Sequence, residues 1–417
     1  MRPVASLLIA PIAVVAIATA CRLPERQDFS TRIEERTLEL KPGGQFHAVT
    51  FNGSIELEGW DRDEVQLVAK IREHREGEVR FTAESKDGLV TVKAERETYR
   101  EADRIFRFGE SSGASLAVKI PRKAMATLYS SNGRLEIKRV DSEIDANTSN
   151  GPIDAVEVGA KASLTTSNAS ISASSIKGRL FARTSNGGIN ISDIAGEADI
   201  RSSNGRIDAR RVNGKTDATT SNASIVTAEL GAEARLTTSN GSITVAGIKG
   251  EVFARTTNGG IDVSDVTGEA DLRTSNGKIR AVNVKGKAEV FTSAGSIIAD
   301  RLESGLLARS TNGRIEISNA LGSIDAETSN ASIMATDLDG KGGGIRLATS
   351  NGSINVNLGR AQGTVQAKAT DGKAVSIEAP NAKMLTEAGA NNMVSAKIGN
   401  SDQLIDLRTT HGRITVR

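Results

Sequence analysis

Along most of this 417-residue chain, apolar and polar positions alternate with period two in short runs that return every 18 residues. In "GEADLRTSN" (268–276), Ala270, Leu272, Thr274 and Asn276 share one side, while Asp271, Arg273 and Ser275 share the other. That two-residue period marks a strand. An asparagine punctuates the runs at Asn132, Asn150, Asn168, Asn186, Asn204, Asn222, Asn240, Asn258, Asn276, Asn312 and Asn330, so that eleven of twelve ladder positions are Asn and Ala294 is the exception. Ile follows three residues after each, except at Leu135, and an aliphatic residue follows eight after it. An 18-residue unit holding two or three short strands and two turns cannot bury its own apolar side, so units must stack and share a core. The predicted fold is all-β: a single-stranded parallel β-helix, or β-solenoid, of 18-residue coils with like residues about 4.8 Å apart along the axis.

Core bookkeeping agrees with stacking. Positions twelve and fourteen after each Asn trade sizes from coil to coil, as in Ala162/Leu164, Leu180/Ala182 and Ala198/Ile200, which lets adjacent layers interdigitate. Helices are disfavoured, because Ile, Val, Thr, Asn and Gly are poor or mediocre helix formers and no 3.6-residue period is present. Asn and the Gly that usually follows it both tolerate the left-handed backbone of a tight corner. The Asn amides are expected to point into the coil and satisfy one another along the axis, with Thr166, Thr238 and Thr274 forming a hydroxyl ladder beside them. Segments 178–207 and 250–279 align without gaps at a separation of 72 residues, which is four coils and points to duplication.

The chain divides into a signal peptide (1–20), a tether (21–28), an N-terminal capping section with an irregular insertion (29–131), the regular solenoid (132–356), and degenerate C-terminal coils with a cap (357–417). About 16–18 coils would make a rod of roughly 75–90 Å. Residues 1–21 carry Arg2 and an apolar run ending in Ala18-Thr19-Ala20 before Cys21, the pattern of an export signal. Cys21 is the sole cysteine, so no internal disulfide can form, and lipid attachment at Cys21 accounts for its position. Such an anchor would hold the rod to a membrane face of the bacterial envelope, periplasmic or surface; cleavage by an ordinary signal peptidase and free secretion is the alternative.

The exported N-terminus, the early "NGSIELEGWDRDEV" and the many "TSNG-x-I" coils with Gly about ten residues on resemble the bacterial putative-adhesin family. The resemblance covers about residues 45–417 and implies a right-handed single-stranded β-helix. It implies no catalytic residues and no cofactor.

Charge and chemistry narrow the function. Net charge is only +2, with acids and bases interleaved, which argues against nucleic acid. Aromatics make up 3%, too few for one thick globular core. Polysaccharide lyases and hydrolases use the same architecture but need convergent carboxylates, often with a metal. Here the outward column Glu136, Asp154, Asp208, Asp262 is spread along the axis, and His47, His74 and His411 are scattered. Catalysis and metal binding are therefore not expected. The expected role is a structural or adhesive envelope protein; a stress-signalling sensor or scaffold, or a polysaccharide-binding or polysaccharide-degrading β-helix, are the alternatives. An ice-binding face is disfavoured, because the most regular Thr column points inward. If ligand binds, the candidate strip is Phe181, Arg183, Arg201, Phe253, Arg255 and Arg273, where Phe beside Arg could stack on sugars or grip an envelope polymer or surface protein. The competing expectation is that the two Phe lie under a loop or in a bend and that each Arg pairs with a nearby Asp.

Overall fold

The computed structural model describes residues 29–73, 78–97, 112–339, 343–371, 374–386 and 392–417. The expected signal peptide, the tether with Cys21, His74 and residues 98–111 of the capping section lie outside them. The chain opens with β1 (Ser30–Glu39), β2 (Gln45–Thr50), β3 (Ile55–Trp60), β4 (Glu64–Glu73), β5 (Val79–Lys86), β6 (Leu89–Arg96), β7 (Gly113–Pro121), β8 (Met125–Ser130) and β9 (Leu135–Val140). From β8 and β9 onward, each coil lays one strand in each of two sheets. The alternation runs through β10 (Ile144–Thr148) and β11 (Ile153–Val158) to β32 (Ile345–Thr349) and β33 (Ile354–Asn357), about 13 turns of some 18 residues. No helix occurs among the described residues.

Register follows the sequence period. Ile153 pairs with Leu135 below and Ile171 above, and Ile171 with Ile189. In the second sheet Leu180 lies between Ala162 and Ala198, and Ala182 between Leu164 and Ile200. All of these side chains are buried. A large side chain thus meets a small one on the next rung, which is how so narrow a core fills without voids.

The longer strand of each coil contains a break in parity that the alternation alone did not reveal. In β11, Ala155 and Val158 are buried while Val156 and Glu157 both face outward, and the pairing to the neighbouring strand skips Glu157. Glu157 has φ 58°, in the left-handed region. The equivalent residue does the same in every coil from Arg139 to Asp337, and only Gly247 among them is glycine. Two outward residues in succession bend the strand, as a bulge does. The left-handed position expected at Asn-Gly therefore lies seven residues after the Asn instead. At the corner, glycine answers a different need: a Cβ on Gly259 would overlap the carbonyl of Gly241 one rung below.

Both ends are closed by the same device. At the N-terminal end β2 lies between β8 and β6, and β3 between β9 and β7. The first coil of the chain is thus the second rung of the stack. The C-terminal end has β34 (Gly363–Ala369), β35 (Val375–Ile377), β36 (Lys383–Thr386), β37 (Met393–Ile398), β38 (Leu404–Thr409) and β39 (Ile414–Val416). There β38 lies between β32 and β34, and β39 between β33 and β35. Antiparallel strands finish the ends: β4 on β7 with β1 on β4, β5 on β6, and β37 on β34 with β36 on β37. The outermost β1, "STRIEERTLE", is charged along its exposed length, which discourages pairing with another chain. With two tucked or covering rungs at each end, each sheet has seventeen parallel rungs and the rod is about 80 Å long.

Candidate functional site

Three surfaces present chemistry: the Asn corner, the outer face of the second sheet, and a furrow beside the left-handed column. At the corner the Asn side chains do stack. Each Nδ2 donates to the Oδ1 one coil earlier, at 2.6 Å for Asn150 to Asn132, 2.8 Å for Asn204 to Asn186 and 2.8 Å for Asn276 to Asn258. The chain of amides is interrupted at Ala294 and resumes from Asn330 to Asn312 and from Asn351 to Asn330, both 2.7 Å. The 21-residue step to Asn351 therefore leaves the contact intact. Asn52 receives the Asn132 amide and donates its own to the Ser112 carbonyl at 3.0 Å. At the far end the column finishes on His411 and Asp371, 2.9 Å apart.

The expectation that these amides point inward is overturned, because the Asn side chains are exposed. The buried polar group is the Thr or Ser two residues earlier. Among the described residues it forms no hydroxyl-to-hydroxyl ladder either. Thr238 Oγ1 donates to the Ala223 carbonyl of the preceding corner at 3.0 Å and accepts from its own corner's Gly241 N–H at 3.3 Å. Thr256, Thr274 and Thr292 repeat both contacts. A backbone turn inside a stack must place its orphan groups somewhere, and the buried hydroxyl takes up one carbonyl and one N–H. Among the described residues, Ala169, Ala223 and Ala331, which replace the corner Gly, make no such N–H bond.

On the second sheet, the six strip residues fall into two groups four coils apart. Phe181 and Phe253 are half-buried on flat strands, not under a loop or in a bend. The Arg179 guanidinium lies 4.4 Å from the Phe181 ring centre, and that of Arg235 5.3 Å from Phe253. Arg201 grips Asp199 through two bonds of 2.9 and 3.2 Å, Arg273 meets Asp271 at 2.6 Å, and Arg255 stands 3.7 Å from Asp271. Arg183 stacks beneath Arg201 and forms no ion pair among the described residues. Phe291, 4.6 Å from Arg273, belongs to the second group and was missed, because it sits two positions along from the Phe column. Its signal was the register, which places Arg273 directly against Phe291.

The outward acids of the first sheet are likewise engaged. Asp154 stands 3.4 Å from Arg134, Asp208 2.8 Å from Arg210 and Asp262 3.3 Å from Arg280, while Glu136 contacts Lys138. The hydrogen bond from Arg210 holds the Asp208 carboxyl below the usual range, and that from Arg211 does so for Asp193. No group of three or more His, Cys, Asp and Glu converges among the described residues.

Beside the bends from Asp193 onward the surface dips. The left-handed column from Asp193 to Asp265 forms one rim of a cavity of about 610 Å³, and the column two residues on, from Ala195 to Thr267, forms the other. A second cavity of about 500 Å³ continues along the same columns from Asn283 to Arg360. Floor positions such as Leu230 and Ile248 are buried aliphatics. The furrow went unread in the sequence because the parity break that creates it leaves the 18-residue period untouched.

Residues 302–417 match the family described as Toastrack DUF4097. The match is confined to that C-terminal stretch. The matched segment comprises the last regular coils and the tucked C-terminal rungs, so the resemblance read from the "TSNG-x-I" coils extends to a match with a named domain of unknown function. No curated protein matches the chain. A crystal structure described as a putative cell adhesion protein from Clostridium sporogenes is 9% identical, with 92% of this chain and 99% of that one covered at a TM-score of 0.18; that score is too low to bear on shape or role. The Toastrack match is compatible with an adhesin-like surface β-solenoid and assigns no specific function.

Proposed function

We infer that the protein is a non-catalytic rod of the bacterial cell envelope, structural or adhesive in role, exported by its N-terminal signal and tethered through a lipid on Cys21. The observation that carries this reading is the self-sufficiency of the stack: capping rungs close both ends, and the outward charges of the regular coils are largely paired with one another. Charges already neutralised by a neighbour are poorly placed for proton transfer, and a capped rod about 80 Å long suits display or spacing. Two acyl signals or one chain with added contacts are needed for a stable anchor. Fractionating cells that express Cys21→Ser tests the tether, with the wild type expected in the membrane fraction and the variant in the soluble one. Adhesion is tested by retention of the chain from residue 22, which holds every described residue, on isolated envelope. A membrane fraction indifferent to Cys21→Ser, or no retention on any envelope fraction, would remove the respective half of the reading.

A further inference from the structure

We propose that the lengthwise furrow is the binding surface of the rod and that its ligand is an uncharged linear polysaccharide, an inference that rests on the adhesive reading above. The argument begins with the backbone. A left-handed φ is costly for residues with a Cβ, and glycine, Asn and Asp bear it best. Yet Arg211, Glu229 and Arg301 occupy it at φ 51°, 56° and 53°. Glycine would relieve that conformation, as Gly247 does within the same column. Arg211 is held by Asp193 at 2.6 Å and Arg301 by Asp300 at 2.6 Å, whereas Glu229 carries its charge there with no ion pair among the described residues.

Their signs are arranged across the furrow. An acid in the left-handed column of one coil has a base two residues further along in the next coil: Glu229 with Lys249 and Asp337 with Arg360 line the furrow, and Asp265, which accepts from the Asn283 amide at 2.6 Å, has Lys285 in the same relation. None of the six forms an ion pair among the described residues, although most charges elsewhere on the rod do. The first and third diagonals along the axis therefore each hold an acceptor and a donor along the furrow, neither of them in an ion pair. Vicinal hydroxyls and amides of a sugar satisfy both at once, and a hydroxyl both donates and accepts. The first two diagonals are two rungs, or roughly 10 Å, apart and the third lies four rungs further on, so a compact molecule cannot span them and a linear polymer can. A polyanion would meet as many carboxylates as cations, which argues for an uncharged chain. Glycan binding elsewhere, on the Phe and Arg groups of the second sheet, is a separate outcome that the same experiment decides.

The experiment uses the chain from residue 22 in affinity electrophoresis through gels containing a neutral β-linked glucan, a neutral N-acetylglucosamine polymer, or polygalacturonate as an anionic control. Glu229→Gln with Lys249→Met alters only exposed side chains, and thermal unfolding verifies the fold. The wild type is expected to be retarded by a neutral polymer, with little response to salt, and not by polygalacturonate. The paired variant should bind roughly three- to ten-fold more weakly for each hydrogen bond to the sugar that it removes, while Phe181→Ser with Phe253→Ser should bind as the wild type does. Retardation abolished by the Phe variant but not by the furrow variant would overturn the furrow and leave adhesion standing. Retention on envelope with no retardation by either neutral polymer overturns the uncharged-glycan ligand. Failure of both envelope retention and retardation overturns the adhesive reading as well.

Discussion

Thr→Val is close to isosteric, and in this rod it should have opposite signs at two buried positions fewer than twelve residues apart. Thr238 is 3% exposed and joins the Ala223 carbonyl to the Gly241 N–H. Valine leaves both backbone groups without their partner. A buried group stripped of its hydrogen bond costs about 1–3 kcal/mol, and since both corners are only half-buried the low end applies to each, giving about 2 kcal/mol of destabilisation. Thr227 is 1% exposed and its hydroxyl has no partner. It stands between Ala209 and Val245 in the register, so valine removes an unsatisfied hydroxyl and adds a methyl to an apolar column. That change should stabilise by about 1 kcal/mol. Urea unfolding of both variants, with hydrogen exchange at Gly241 as a local probe, measures the difference of roughly 3 kcal/mol. Equal costs at the two sites, or a loss at Thr227, would refute the assignment of the hydroxyl to the corner and with it the account of what closes each coil.

Three more outcomes are expected. Ala294→Asn should bridge the interrupted amide column, with two new exposed bonds adding about 1 kcal/mol in urea unfolding, whereas Asn240→Ala should lose about as much and less than Thr238→Val does. Burial, with Lys93 nearby, lowers the His47 pKa, so the folded cap prefers neutral imidazole: its stability is complete above the ordinary value of about 6.5 and falls as pH drops below it, and His47→Gln should flatten acid unfolding in that window. Deleting residues 404–417 removes β38 and β39 from between their neighbours on both sheets, leaving unpaired edges, and should produce aggregates in size-exclusion chromatography where the full chain runs as one species.

The solenoid was legible because its cause is repetitive: Ile at the third and an aliphatic at the eighth position after each Asn bury in every coil. The roles within the corner were not. Asn276 and Thr274 share the parity of a strand, so both read as inward, but the chain turns between them and only Thr274 remains inside. The tucked ends were illegible for another reason. The sequence after Asn351 shows fading corners at Asp371 and His411, yet nothing local states that the later corner stacks first. That order comes from non-local pairing of β38 with β32, whose side chains Ile405 and Leu407 match Ile345 and Leu347. Of the six strip residues, their outward phase was readable but their neighbours were not, since the partners come from adjoining rungs.

Because the last strand, β39, is clamped between β33 and β35, and Arg417 donates its N–H to the Val356 carbonyl at 2.8 Å and meets Glu378 at 3.2 Å, a pull on the C-terminus does not strip the outermost layer first. It drags a strand lengthwise against two neighbours at once, so that several hydrogen bonds share the load. A molecule fastened at one end and tugged at the other would resist fraying in the way a buried rope end resists unravelling.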